Sequence, residues 1–455
     1  MIDIDFYTNV ARKGNNILVR GIRNGKDVRY KVNYEPTLYV EHHKDYGYKN
    51  VYGKNLKPIN FSSISEASDF ANQHKDSNLK VYGFPYFHSQ YTLENLSGSI
   101  DKFDKSKVRI FNIDIEVTSN DGFPDAINAA YPITAVCIYD NIADKFITFG
   151  IGEWDESQSV LPEDIADKVV YVACDTEVKL LEKMLNYWTN FYPNIVTGWN
   201  IEFFDITYIH NRLNNLGLDQ RKLSPWGVTS IRNVRTARGE EQSVNIMGVD
   251  VIDYLDRYRK TYVRDSYRLD NIANIELGER KSLSSVAMLD MGRVPFTDKP
   301  SNTVFELTDD EEFNRFAKIR KERVALEEAI RNNRAGDNAD IELELLLKEE
   351  KRAAFQGFIS YNIQDVNLVK RLDERLGLLD VQMMVAYTTS VNYEEVSGSV
   401  RTWDCLINKE LWKENIIPHY HINPPGNKEG IPGGHVKEPQ LGKHGWCMSF
   451  DLNSL

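Results

Sequence analysis

Two carboxylates in a single predicted strand constrain this chain more than any other feature of its sequence. Residues 110–117 read Ile-Phe-Asn-Ile-Asp-Ile-Glu-Val, a composition typical of a β-strand. Because strand side chains alternate between two faces, Asp114 and Glu116 share one face with Asn112, and the apolar side chains share the other. The two acids are roughly 6.6 Å apart along the strand, within reach of one pair of metal ions. The strand therefore predicts a metal site.

The overall composition is that of a globular protein. The chain has 455 residues, of which 42% are hydrophobic and 27% charged, enough for about two or three domains with hydrophobic cores. It contains no run of about 18 apolar residues, and its first residues lack the layout of a secretory signal. We therefore expect a cytoplasmic protein that makes no membrane contact.

Neither the net charge nor the cysteines point to a particular function. The net charge is −12, but exposed charges are screened beyond about 8–10 Å, so this total does not exclude a nucleic-acid-binding surface. The cysteines are widely spaced, which argues against disulfides and a zinc site, and we interpret them as buried or incidental thiols. They are Cys137, Cys174, Cys405 and Cys447.

The pattern of predicted elements divides the chain into three parts. Residues 1–107 contain short strands and a helix near 65–74, which predicts a small α+β N-terminal domain. Residues 108–376 alternate strands with helices, which predicts a mixed α/β sheet flanked by helices, and residues 377–455 begin helical and end in a strand. The predicted strands of the middle part are 109–118, 133–139, 145–149, 168–173 and 194–198, and its helices lie near 176–190, 205–215, 268–275 and 355–373.

Two segments of the middle part stand apart from this alternation. Residues 229–248 predict a β-hairpin with its turn near 238–240, and its first arm carries Arg232, Arg235 and Arg238. The stretch 309–353, within a longer segment at about 281–354, predicts charged helices broken at 332–338. We interpret these helices as a solvated insertion.

Two further acids belong to other predicted elements. Asp205 lies in the first turn of a helix at the carboxyl edge of the sheet, where it is either a site residue or a helix cap. Tyr361 and Asp365 are four residues apart on the helix 355–373, so the phenol and the carboxylate share a face; read alone, both are ordinary boundary residues. With the strand pair they form an all-oxygen set, which suits Mg²⁺ or Mn²⁺ and supports two-metal phosphodiester hydrolysis.

A basic segment follows the predicted hairpin. Residues 257–264 interleave bases with aromatics, which suits phosphate neutralisation combined with stacking on nucleic acid. The end of an amphipathic helix with solvated bases is an equally good interpretation. The residues concerned are Arg257, Tyr258, Arg259, Lys260, Tyr262 and Arg264.

The order of the acidic motifs resembles that of a known family. Asp-Ile-Glu at 114–116, Asn-x-x-x-Phe-Asp at 200–205 and Tyr-x-x-x-Asp at 361–365 resemble the three exonuclease motifs of the DnaQ-like 3′→5′ proofreading domain. The sequence segments around these motifs, at 111–124, 197–200 and 359–363, look like those of family B DNA polymerases of T-even-type phages. This resemblance covers nearly the whole chain.

The resemblance implies an RNase H-like exonuclease domain at 108–376, inserted after the N-terminal domain, to which the chain returns before a polymerase palm begins. It implies that single-stranded and primer-template DNA are the substrates. Asn200 and Phe123 would lie near the terminal nucleotide, and the hairpin would help to part primer from template. The implied metal-binding acids, for two Mg²⁺ or Mn²⁺ ions, are Asp114, Glu116, Asp205 and Asp365, and Tyr361 would orient the water.

The C-terminal residues 449–455 resemble the start of the first polymerase motif, in which Asp451 would bind the nucleotide-associated metals. The chain then stops, and one carboxylate cannot build a two-metal polymerase site. We therefore expect a naturally split polymerase with a companion chain that carries the rest of palm, fingers and thumb; a truncated product is the alternative. The resemblance also implies a phage-infected bacterial host and indirect association with a sliding clamp and single-strand-binding protein.

Two other functions stay open. The N-terminal domain of this family resembles RNA-binding folds, so the chain could bind RNA and repress translation of a message. Alternatively, it could be a non-catalytic replisome scaffold whose carboxylates are relics.

Overall fold

Strands and helices mix along the whole described chain, which confirms the predicted class. The computed structural model describes residues 2–96, 101–118, 123–236, 239–279, 285–297 and 300–420, with residues 442, 443, 445, 446 and 448. The strands are β1 (Phe6–Lys13), β2 (Asn16–Arg23), β3 (Lys26–Asn33), β4 (Thr37–Glu41), β5 (Tyr48–Lys49), β6 (Asn55–Asn60), β7 (Val81–Tyr82), β8 (Ile110–Val117), β9 (Ile133–Asp140), β10 (Lys145–Ile151), β11 (Val169–Cys174), β12 (Ile195–Gly198), β13 (Thr229–Thr236), β14 (Gly239–Ile246) and β15 (Asp250–Asp253). The helices are α1 (Ile64–Gln73), α2 (Phe87–Asn95), α3 (Glu163–Ala166), α4 (Glu177–Asn190), α5 (Asp205–Asn215), α6 (Tyr254–Thr261), α7 (Leu269–Leu277), α8 (Ser285–Arg293), α9 (Glu311–Arg331), α10 (Ala339–Leu376), α11 (Leu378–Thr389) and α12 (Ser399–Lys413).

A six-stranded mixed sheet forms the centre of the middle part. Its strand order is β11-β10-β9-β8-β12-β15, with β8 antiparallel to β9 and parallel to β12. The strand β8 alternates as predicted: Phe111, Ile113 and Ile115 are buried in a core that includes α4 and α5. Asn112 and Asp114 face the opposite way and bind α10. The predicted acidic strand is therefore confirmed, and it lies in the interior of the sheet between β9 and β12.

One long helix joins the insertion to this sheet. α10 is continuous over 38 residues, so the helices predicted on either side of residue 354 are a single element. Its first half lies against α9, and its second half covers β8 and β9. The helix ends at Gly377, whose positive φ of 64° is a left-handed conformation that glycine adopts at little cost. The side chains that α10 directs at β8 are consequently held by a rigid element.

The insertion is not the solvated structure that its charge pattern predicted. The side chains of Arg320, Arg323 and Glu350 are almost completely buried between α9 and α10. Oε1 of Glu350 accepts a hydrogen bond from Nε of Arg320 at 2.7 Å, and Oε2 accepts one from Nε of Arg323. Buried charges persist when they are paired in this way, so the interpretation as a solvated insertion is corrected for the face between α9 and α10, whereas other charged residues of these helices, such as Lys321 and Glu349, are exposed.

The N-terminal and C-terminal parts share a core. Side chains of β1, α1 and α11 pack into one hydrophobic cluster, represented by Phe6, Ile64 and Met383. Ile252 and Ile272 of the middle part belong to the same cluster. Because this core is continuous, the domain boundaries at 107 and 376 stay predictions.

Two expectations about the whole chain are tested by the described residues. None of the helices that the structure describes is both long and apolar enough to cross a membrane. Cys137, Cys174 and Cys405 are buried free thiols, as predicted. Cys447 and the predicted terminal strand at 447–452, apart from Met448, lie outside the described residues.

Candidate functional site

One open cleft of about 500 Å³ lies where β8, α5 and α10 meet. We call it the acidic cleft, because four carboxylates from three elements line it together with a phenol. The residues are Asp114, Glu116, Asp205, Tyr361 and Asp365. All five residues that the sequence predicted for one site are therefore found along one cavity, although they are separated by up to 251 positions, the difference between 365 and 114.

The strand pair is held in place by α10. Nδ2 of Asn362 donates a hydrogen bond to Oδ2 of Asp114 at 2.7 Å. One turn further along, Nδ2 of Asn112 donates to the carbonyl oxygen of Val366 at 2.7 Å. These two amides fix the distance between the strand and the helix, and with it the position of Asp114 relative to Asp365.

Asp205 is the most buried acid of the cleft, with 3% of its surface exposed. It is the first residue of α5, but its Oδ1 accepts a hydrogen bond from the backbone N–H of Ile115 at 2.9 Å. This bond ties the start of α5 to β8, beyond any role in capping the helix. Burial raises the pKa of the Asp205 carboxyl to about 7, because a charge removed from water is disfavoured.

A tight turn between β12 and α5 brings this aspartate to the strand. A Cβ atom at Gly198 would lie 2.4 Å from the carbonyl oxygen of Ile113, so only glycine permits this close approach. Asn200 has a positive φ of 68°, and its backbone N–H donates to Oδ1 of Asp253 at 3.1 Å. Oδ2 of Asp253 accepts a hydrogen bond from the backbone N–H of Glu202. This buried acid therefore binds two backbone amides and stabilises the turn.

Tyr361 faces the acids across the cleft. Its pKa is raised, first by burial and then by the negative charges of Asp365, Glu116 and Asp114. The carboxylates of both β8 acids and of Asp365 are thus near enough to act on one hydroxyl group. The phenol keeps its proton at neutral pH and can donate or accept a hydrogen bond.

The donor set fits a divalent cation by its chemistry. Four carboxylates line one cleft, and that of Asp205 is buried and has a raised pKa. Their negative charges are stabilised by a hard cation such as Mg²⁺ or Mn²⁺. Among the described residues, however, no three His, Cys, Asp or Glu side chains are arranged closely enough to hold a metal ion. The cleft contains side chains of the type that ligate such a cation, and the assignment of each acid to a metal stays a prediction.

Aromatic rings line the outer part of the acidic cleft. Phe123 is 80% exposed, and its ring centroid is 4.9 Å from that of Phe204. Trp199 also lines the cleft and is held by a hydrogen bond from its Nε1 to the carbonyl oxygen of Tyr267 at 3.2 Å. An exposed ring at this position is available to a flat ligand such as a base.

The predicted basic segment at 257–264 is only partly available to a ligand. Tyr258 is fully buried and donates its hydroxyl hydrogen to Glu276, so its predicted role in stacking on DNA was wrong. Arg264 forms an ion pair with the same Glu276 at 2.9 Å. Asp256 pairs with Arg257 at 2.5 Å and with Lys260 at 2.9 Å.

The other members of that segment remain candidates for DNA contact. Arg259 is exposed, and its guanidinium lies 4.9 Å from the ring centroid of Tyr267. Tyr262 is partly exposed. The segment is thus a folded helix end with internal ion pairs, which is closer to the second of the two interpretations.

The hairpin is confirmed as an element. β13 and β14 pair in an antiparallel register from Thr229 opposite Ile246 to Thr236 opposite Gly239. Arg232 and Arg235 on its first arm are exposed. Arg238 and Asp451 are two predicted residues that lie outside the described residues.

Three residues of the cleft region escaped the sequence reasoning. Asn362 lies within a motif that was recognised, but its bond to Asp114 depends on the distance between helix and strand. Asp253 is the last residue of β15, a strand of four residues whose sequence shows no pattern typical of a strand. Arg293 lines the acidic cleft from the insertion, where nothing in the sequence distinguishes it from other basic residues.

Comparisons with known proteins agree with this geometry. Residues 43–272 match the sequence model described as DNA polymerase family B, exonuclease domain. The chain is 29% identical to the DNA-directed DNA polymerase of Escherichia phage RB69 and 30% identical to that of Enterobacteria phage T4, each over 99% of this chain and 46% of the relative. It is 30% identical to the DNA polymerase catalytic subunit of psittacid herpesvirus 1 over 42% of this chain and 18% of that protein. The chain thus spans about half the length of the phage relatives that it matches.

Proposed function

Because this chain belongs to DNA polymerase family B and contains its exonuclease domain, we propose that the acidic cleft hydrolyses DNA from the 3′ end. The resemblance found in the sequence is thereby confirmed at the level of the family. The observation that carries the proposal is the meeting of all three acidic motifs in one cleft. A scaffold with relic carboxylates has no need to keep a buried ionisable Asp205 and a phenol among four acids.

In this proposal Asp114, Glu116, Asp205 and Asp365 hold two Mg²⁺ or Mn²⁺ ions. Such ions, when bound, supply charge stabilisation at the phosphate that is cleaved and lower the pKa of water. Asn362 and the Ile115 amide prevent Asp114 and Asp205 from turning away from the cleft. Asp114 and Asp205 are thus positioned before substrate arrives, which is a contribution of the protein to the rate.

Tyr361 orients the attacking water. Burial, and after it the neighbouring carboxylates, keep its pKa high, so the hydroxyl stays neutral and does not add to the negative charge of the cleft. A neutral phenol can accept a hydrogen bond from water or donate one to a phosphate oxygen. The phenol therefore contributes by orienting the water, whereas the carboxylates carry the negative charge of the cleft.

The rim of the cleft binds the terminal nucleotides. We propose that Phe123 and Phe204 stack on an unpaired base, and that Asn200 lies near the last nucleotide. Arg232 and Arg235 of the hairpin, together with Arg259, are exposed bases for the DNA backbone. A mismatched primer end frays more readily and would reach this rim more often than a paired end.

The test uses a 5′-labelled single-stranded oligonucleotide and the full chain. With Mg²⁺ we expect a ladder of products that shortens from the 3′ end, and with EDTA we expect no product. A primer-template with a terminal mismatch should be shortened faster than a matched one. Absence of any Mg²⁺-dependent ladder with either substrate contradicts the proposal.

DNA synthesis is a separate part of the proposal. Residues 449–455 resemble the first polymerase motif, and we propose that Asp451 binds the nucleotide-associated metals of a polymerase site. In a polymerase that carries Asp451 together with the remaining polymerase motifs, Asp451→Ala should abolish primer extension. Undiminished extension by that variant contradicts this role of Asp451.

A further inference from the structure

One cation faces the four carboxylates of the acidic cleft. Among the described residues that line the cleft, Arg293 is the single lysine, arginine or histidine. It is the last residue of α8, and it belongs to the inserted segment rather than to any acidic motif. Its side chain is partly buried. A guanidinium at this position adds positive charge to a cleft that is lined by four carboxylates.

Within the described chain, Arg293 lacks the carboxylate partners that other arginines of the insertion have. Its Nε is buried without a hydrogen-bond partner. By contrast, Arg320 binds Glu350 and Asp290, and Arg323 binds Glu350 and Glu327. A buried donor without an acceptor is costly, so binding of an acceptor that enters the cleft with a ligand would be favourable at this guanidinium.

The end of α8 that carries Arg293 is held beside the cleft by close packing of α8 on α10. A Cβ atom at Gly292 would lie 2.8 Å from the Phe358 ring, so the backbone next to Arg293 touches the helix that carries Tyr361 and Asp365. Asp290, one turn earlier on α8, is bound to Arg320 of α9. The backbone at Arg293 is therefore fixed relative to α10 by the packing of Gly292 and relative to α9 by the ion pair of Asp290.

We propose that Arg293 binds the phosphate of the linkage that the acidic cleft cleaves, which rests on the proposed function. Carboxylates alone repel a phosphodiester, and the planar guanidinium presents two parallel N–H groups that match two phosphate oxygens. The inserted segment thus supplies a substrate-binding residue to a site whose acids come from β8, α5 and α10. The insertion has a part in substrate recognition, beyond lengthening the domain.

The test is a thermodynamic cycle with two changes. One change replaces the Arg293 side chain, and the other removes the negative charge of one phosphate of the DNA. Fluorescence anisotropy measures binding of a 5′-labelled oligothymidylate to the full chain in EDTA, where no cleavage occurs. One oligonucleotide is unmodified, and the other has an uncharged methylphosphonate at the last linkage. The proteins are wild type, Arg293→Met, Arg293→Lys and the control Arg334→Met, which alters an exposed arginine in the turn between α9 and α10.

The effects of Arg293→Met and of phosphate neutralisation on the free energy of binding should not be additive. We expect wild type and Arg334→Met to lose about tenfold in affinity when the last phosphate is neutralised, and Arg293→Met to lose less than about twofold. Arg293→Lys should retain part of the difference, because it keeps the charge without the planar fork. An equal loss in wild type and Arg293→Met, or no measurable binding by wild type, overturns the proposal.

The same experiment separates this inference from the proposed nuclease. Wild type is also incubated with the unmodified oligonucleotide and Mg²⁺. If it digests the strand but the cycle is additive, the role of Arg293 is wrong and the nuclease stands. If no digestion occurs, the proposed function itself fails. Circular dichroism of each variant shows whether it is folded, and Arg293→Gln replaces Arg293→Met in the cycle if the methionine variant is not.

Discussion

Replacing Glu350 by alanine should loosen the helical insertion while the central sheet stays folded. Glu350 is 1% exposed, and each of its carboxylate oxygens binds the Nε of a fully buried arginine, Arg320 or Arg323. Removal of this shared partner leaves two buried guanidinium groups with fewer acids around them. Breaking a buried ion pair from one side costs about 3–5 kcal/mol.

This cost can be measured locally by hydrogen exchange of the backbone amides. A loss of about 3–5 kcal/mol corresponds to exchange that is faster by between about a hundred and several thousand times, if these amides exchange through opening of the insertion. The increase should appear in α8 and α9 and in the first half of α10, and amides of β8 and β9 should exchange as in wild type. Because Asp290 on α8 is bound to Arg320, the wall of the acidic cleft that carries Arg293 should open with them.

The matched control is Glu349→Ala, which removes a carboxylate from the preceding, exposed position of the same helix. A surface change of this kind is worth no more than about 0.5 kcal/mol, so its exchange should match wild type. Equal protection of α9 in both variants would refute the reasoning that the buried ion cluster holds the insertion. Faster exchange throughout β8 and β9 would refute the view that the insertion opens separately.

Three other predictions concern burial, close packing and the rim of the cleft. Burial raises the pKa of Glu312 to about 7 from 4.5, so its contribution to stability is complete below about pH 4.5 and is lost as the pH rises through 7. Glu312→Gln should therefore be about 2 kcal/mol more stable than wild type at pH 8 and equal to it near pH 4.5 in chemical denaturation; the same difference at both values would contradict this. Gly198→Ala should cost about 1–3 kcal/mol in denaturation and abolish digestion, because its Cβ would meet the Ile113 carbonyl, whereas Gly336→Ala, in open space, should do neither. Phe123→Ala should raise the KM for single-stranded DNA by about tenfold through lost stacking and leave the melting temperature unchanged; an unchanged KM would remove Phe123 from the rim.

Local patterns gave much of the fold because they depend on near neighbours in the sequence. The alternation around Asp114, the hairpin at 229–248 and the first turn of α5 at Asp205 follow from periodicity and turn residues. The continuity of α10 was missed, since nothing short-range shows that helices on both sides of residue 354 share an axis. The strand β15 has only four residues and was hidden between the hairpin and α6.

Long-range pairing explains the other errors. Arg320 and Glu350 are 30 positions apart, and only the packing of α9 on α10 turns a charge-rich surface pattern into a buried ion pair. Tyr258 was assigned to DNA because it lies among bases, but its face of α6 is directed into the core. Arg293 carried no signal of its own, because its importance comes from the cleft that other elements build around it.

The most direct test of the account is the rate of 3′-end hydrolysis by the Asp114→Ala variant beside wild type in saturating Mg²⁺. Loss of a metal ligand removes several kcal/mol of transition-state stabilisation, so we expect a rate lower by at least about a thousandfold, with an unchanged circular dichroism spectrum. Asp337→Ala, which removes an exposed acid between α9 and α10, should digest DNA at the wild-type rate. Equal rates for wild type and Asp114→Ala would contradict the central claim that the acidic cleft is the site of hydrolysis.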